Sequence, residues 1–177
     1  MKTKNFLLTG ALLIMALFSV NGVMAQTPAK IGNTKVHIVL SPMQAITVNQ
    51  TDVTLTYTSI DDYNNGVDTT MTSHLTVYSV GGFIVNVKSG GNFIGKNGSI
   101  EAEDVIITAT AAGDSPGGFT DVRLSTTEAP LITSNKGGFK MDYNVNYSNK
   151  LAGKDFKNAA KKGGTYTAQV TYEIFSK

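Results

Sequence analysis

The stretch GGTYTAQVTYEIFSK, residues 163–177, decides the fold. After its glycine pair, Tyr166, Ala168, Val170, Tyr172 and Ile174 take every second position, with Thr167, Gln169, Thr171 and Glu173 between them. Successive side chains of a β-strand point to opposite faces. This spacing therefore sets one largely apolar row against a core and one polar row in water.

The same period recurs upstream. Residues 34–40 put Val36, Ile38 and Leu40 on one face, and residues 52–57 do the same with Val53, Leu55 and Tyr57. Residues 74–80 and 83–87 read as a hairpin across Gly81-Gly82, and residues 104–109 as a more central strand. Residues 140–147 turn Met141, Tyr143, Val145 and Tyr147 inward. Short strands parted by Gly, Asn and Asp predict an all-β fold, an antiparallel β-sandwich or small barrel with Thr-rich wetted faces. The tripeptide GGF, at residues 81–83, 117–119 and 137–139, reads as a turn followed by a Phe that anchors the next strand in the core. One short helix is expected at residues 151–162, with Lys150, Lys154, Lys157 and Lys161 on one face as a candidate basic patch.

The N-terminus reads as an address. Lys2 and Lys4 precede an apolar run over residues 6–20, and Val23 and Ala25 sit at the −3 and −1 positions before Gln26. This is the layout of a secretory signal peptide, residues 1–25, leaving a single domain of residues 26–177. The run is too short to span a bilayer, and no later segment could cross as a helix. The expected location is outside the cytoplasm, in the periplasm or at the cell surface of a bacterium. With Lys2 and Lys4 removed, the 15 basic residues fall to equal the 13 acidic ones, so the formal charge of +2 belongs to the leader. A nucleic-acid partner is not expected from so balanced a domain. Acidic residues prevail up to Asn135 and lysines beyond it, which reads first as a bias of a solvated surface and, as the sharper alternative, as a dipolar subunit drawing its neighbours head to tail.

Chemistry is sparse. The absence of Cys excludes thiol catalysis, Cys-ligated metal and disulfides, and two His leave little for a metal cluster. No nucleophile elbow and no HExxH pattern occurs, so no enzyme and no cofactor is expected. Asp61, Asn65 and Asp68 offer oxygen ligands to calcium. The EF-hand register fails, however, and Asn65-Gly66 favours a plain hairpin turn.

The C-terminal stretch resembles the last strand of secreted bacterial β-sandwich subunits, the chaperone–usher pilins and spore-coat-U-like proteins. It has Gly164 fourteen residues from the end, then the alternating row, then Phe175 close to the terminus. Residues 75–87 and 143–147 are similar to the middle strands of the spore-coat-U type. The chain departs from pilins in having no Cys and in placing its near-terminal aromatic third from the end. The resemblance implies a non-enzymatic surface subunit, structural or adhesive, assembling with itself or with related subunits. Strand complementation would use Ala168, Val170, Tyr172 and Ile174, with Val36, Ile38 and Leu40 on the donor strand. The alternative is an extracellular glycan- or peptide-binding module, with Tyr57, Tyr63 and Tyr78 as candidate aromatics.

Overall fold

The computed structural model describes residues 32–149 and 163–177. The expected leader, the expected helix at residues 151–162 and the lysines 150, 154, 157 and 161 lie outside the described residues. The chain divides into two units, Met1–Val39 and Leu40–Lys177. In the first, residues 32–39 carry no regular secondary structure and every side chain is exposed, so the strand expected at residues 34–40 is not formed. Alternation marks a segment able to be a strand. Without a backbone partner its donors and acceptors stay in water.

The second unit is an antiparallel, all-β sandwich. Its elements are β1 (Gln44–Val48), a short helix α1 (Ile60–Asn65), β2 (Asp68–Ser79), β3 (Phe83–Ser89), β4 (Phe93–Gly95) and β5 (Gly98–Ile100). There follow a 3-10 turn (Ala102–Asp104), β6 (Ile106–Ala112), β7 (Gly118–Phe119), β8 (Val122–Arg123), β9 (Ala129–Ser134), β10 (Gly138–Ser148) and β11 (Val170–Ser176). One sheet runs β1-β2-β10-β6-β8 and the other β11-β3-β9-β7, with β4 and β5 as a separate hairpin. The inward rows meet between the sheets. Leu75, Val77, Phe83, Val85, Ile107, Leu131, Tyr143 and Val145 are all fully buried there. The inward set expected for residues 140–147 is the one found. Val53 and Leu55 pack against the core as expected, although residues 52–57 form no strand.

The hairpin expected across Gly81-Gly82 is instead a crossing between layers. β2 pairs with β1 and β10, whereas β3 pairs with β11 and β9 in the opposite sheet. Two rows facing one core are compatible with pairing side by side or facing each other, and the period cannot distinguish these. The crossing needs close backbone approach. A Cβ on Gly82 would sit 2.9 Å from the Ser134 carbonyl oxygen. One on Gly137 would lie 2.2 Å from the Ser79 oxygen and 2.4 Å from the Gly81 nitrogen. Three buried serines finish the neighbouring strand ends. Ser79, Ser89 and Ser134 each donate to the carbonyl two residues on, which satisfies hydroxyls that would otherwise be costly to bury.

Phe83 is the core anchor that its GGF motif implies, at 0% exposed. Phe139 is not, at 84% exposed. A bulge between Gly138 and Met141, with Lys140 at φ 55°, turns Phe139 outward onto the Tyr78 ring, centroids 5.0 Å apart. The Asn65-Gly66 pair is likewise not a hairpin turn. It ends α1, whose start is fixed by a reciprocal capping box between Ser59 and Asp62, with Gly66 at φ 73° closing the helix.

The crossing is directly testable. Gly137→Ala should destabilise the fold by about 1–3 kcal/mol, because the added methyl meets backbone that cannot withdraw. Gly32→Ala, with nothing within 4 Å, should leave the urea midpoint unchanged. Equal midpoints for the two variants would contradict the crossing geometry.

Candidate assembly edge and the buried polar chain behind it

A sheet edge is a row of unpaired backbone donors and acceptors, and its length decides what can add to it. β7 and β8 are two residues each. β1 and β11 are longer, five and seven residues, and they lie against each other on one side of the sandwich. β11 is bonded to β3 along its whole length, Val170 opposite Ser89 to Ser176 opposite Phe83. Within the described sheets its other side is an edge.

The structure places most of the expected row on this strand. Tyr172 is buried, and Val170 and Ile174 are partly buried and packed against the core, as is Ile46 of β1. Ala168 is half-buried just before β11, where Thr167 forms an isolated bridge to Ile94. The polar row faces out as expected. Glu173 pairs with Lys88 at 2.7 Å, and that hydrogen bond raises the Lys88 pKa. Val36, Ile38 and Leu40 are 80, 83 and 76% exposed and have no strand partner.

Sequence reasoning missed the polar chain behind this edge. His74, 1% exposed, lies between the layers. Its Nε2 is 2.8 Å from the Tyr147 hydroxyl on β10, which lies 2.5 Å from the Tyr172 hydroxyl on β11. Its Nδ1 is 2.8 Å from Gln50 Oε1. Both tyrosine rings meet the imidazole edge-on, at 5.6 and 5.9 Å. A bulge admits the histidine. Between the pairs Tyr143–Leu75 and Val145–Met71, β2 carries extra residues, Ser73 takes φ 47°, and its N–H donates to Asn144 Oδ1. Burial lowers the His74 pKa, pushes Tyr147 up to about 12 and raises Tyr172 further. The pattern offered a single signal, a His within an otherwise Thr- and Val-rich strand. His37, by contrast, is exposed and lies outside any strand.

The other candidates do not converge. Asp61 and Asn65 are exposed on α1, and Asp68 begins β2, where it accepts from Asn146. The Thr58 and Ser59 backbone N–H groups foremost, with the Thr58 hydroxyl, donate to the Asp62 carboxylate and hold its pKa near 2. Among the described residues no group of three or more His, Asp or Glu is placed to hold a metal. A surface cleft of about 340 Å³ is lined by Thr54, Thr56, Asp62, Asp68 and Thr69 with Val67, too polar to resemble a buried ligand pocket. Tyr57 and Tyr63 are half-buried against each other, 5.0 Å between centroids. No known family model matches the chain, and no curated protein is detectably similar to it.

The face assignment on β11 predicts contrasting variants. Val170→Lys should lower stability by about 1–2 kcal/mol by removing an apolar contact with the core. Thr171→Lys, one residue along and on the wetted face, should stay within about 0.5 kcal/mol of the parent. Chemical denaturation of both variants checks the register.

Proposed function

We propose that this chain is an exported, non-enzymatic structural or adhesive subunit of a bacterial surface, assembling by strand complementation. One observation carries the reading. Among the described residues, the alternating segment Val36-His37-Ile38-Val39-Leu40 forms no strand, and the seven-residue C-terminal strand of the sandwich is bonded to β3 alone. The segment has the spacing needed to lay three apolar side chains along Ile46, Val170 and Ile174 of a second copy while its backbone completes the ladder. Four apolar residues within five positions, Val36, Ile38, Val39 and Leu40, are at least 76% exposed, which water alone does not favour.

The test is self-association of the full chain. Light scattering should show mass growing with concentration. The double variant Val36→Lys, Ile38→Lys should stay monomeric with the parent's denaturation midpoint, since both side chains are already in water. A peptide of residues 34–40 should compete. A parent that stays monomeric at high concentration and ignores the peptide would overturn the reading.

A second reading, glycan binding, has its own observation. Phe139 stands exposed over Tyr78 on the outer face of the five-stranded sheet, a ring platform of the kind that stacks on a sugar's C–H face. Phe139→Ala should then abolish binding to glycans on an array while leaving the fold intact. An array blank for the parent chain would remove this reading and leave the assembly reading untouched.

A further inference from the structure

We propose that His74 is a proton-sensitive latch on the C-terminal strand: its neutral ring closes the chain from Gln50 through Tyr147 to Tyr172, and its protonation reverses that chain and loosens β11. The latch stands on the fold alone and holds whether or not the chain assembles.

The hydrogen count gives the direction. Gln50 Nε2 donates to the Thr72 carbonyl, which leaves Oε1 facing His74 Nδ1. An amide oxygen has no hydrogen to give, so Nδ1 carries the proton and Nε2 accepts from the Tyr147 hydroxyl. Tyr147 oxygen then accepts from Tyr172. Each hydroxyl hydrogen is used once and the ring is neutral. Adding a proton makes both ring nitrogens donors. Tyr147 must now accept from Nε2–H and turn its own hydrogen to Tyr172. The Tyr172 hydrogen, on a side chain 9% exposed, loses its acceptor within the chain.

The charge is also uncompensated. Gln50 faces the ring from the segment after β1, Tyr147 from β10 and Tyr172 from β11, and the titratable members of this set are neutral hydroxyls that burial keeps neutral. No carboxylate is among the ring's described hydrogen-bond or ring partners. Burial alone sets the histidine below its ordinary value of 6.5. Since the native pKa is the lower one, the latch is fully closed above about pH 6.5. It weakens as pH falls from there toward the native pKa, where the unfolded or opened state binds the proton more readily.

The loss falls on β11 for a structural reason. Tyr172 is the one side chain of β11 that is buried, and among the described residues the ladder holds the strand through β3 alone. Strands β2 and β10, which carry His74 and Tyr147, are each bonded on both sides.

Hydrogen exchange of the full chain at about pH 7.5 and 5.0, corrected for intrinsic rates, reads the latch. Ordinary carboxylates remain largely ionised over this range. Protection of β11 amides should fall about ten-fold at the lower pH while β10 changes little. His74→Gln, whose side-chain oxygen can still accept from Tyr147 but which cannot be protonated, should abolish the pH response, and His37→Gln should keep it. A β11 response that is absent in the parent, or that survives His74→Gln, would overturn the proposal. If His74→Gln does not fold, the NMR titration of the parent's buried imidazole decides: a midpoint below 6.5 supports the latch, and one at or above it refutes it.

Discussion

Everything in this sandwich depends on the chain leaving one sheet at Gly81-Gly82 and entering the other. That crossing makes Leu75 and Val77 face Phe83 and Val85 across a core instead of lying beside them on one surface. It is possible because Gly82 lies against the Ser134 carbonyl and Gly137 against Ser79 and Gly81, with no Cβ between the backbones. Without the crossing the two inward rows would form one wide sheet with nothing to cover it, and the apolar area buried on folding would fall sharply.

The same arrangement leaves β11 as an edge strand. Chain order brings it last, onto the outer side of β3, opposite β1 of the other sheet. Its attachment includes the ladder to β3, the packing of Val170 and Ile174, and the Tyr172 hydroxyl tied through Tyr147 to His74. The first two are ordinary for a half-covered strand. The third is a polar tie between layers at a site that excludes water, where a satisfied network fixes one arrangement and a broken one is costly. The longest of the described edge strands is thus also the one whose buried tyrosine is tied to a titratable group.

Two bulges in one strand pair account for the residues whose roles were hardest to anticipate. The bulge at Ser73 brings His74 into the core, and the one at Lys140 sends Phe139 out onto Tyr78. In each case the period of two fails locally, because the strand carries residues with no partner opposite, one on β10 between Gly138 and Met141 and two on β2 between Met71 and Leu75. His74 therefore reads in the sequence as an ordinary strand residue and Phe139 as a core anchor. Asn65-Gly66 is a turn signal whose outcome is settled upstream by Ser59 and Asp62, which close a capping box and make the segment helical.

Local side-chain order was enough to specify the all-β class and the inward rows of β10 and β11, because the pleat has a period that such order records directly. Val170, Tyr172 and Ile174 were legible for that reason, and so were Met141, Tyr143, Val145 and Tyr147. Three further features came from the folded arrangement alone: which strands pair, that residues 34–40 form no strand, and that His74 joins two tyrosines from different strands. Pairing depends on register between distant segments and on how closely two backbones can approach. A single chain's pattern does not encode either quantity until the layers have met.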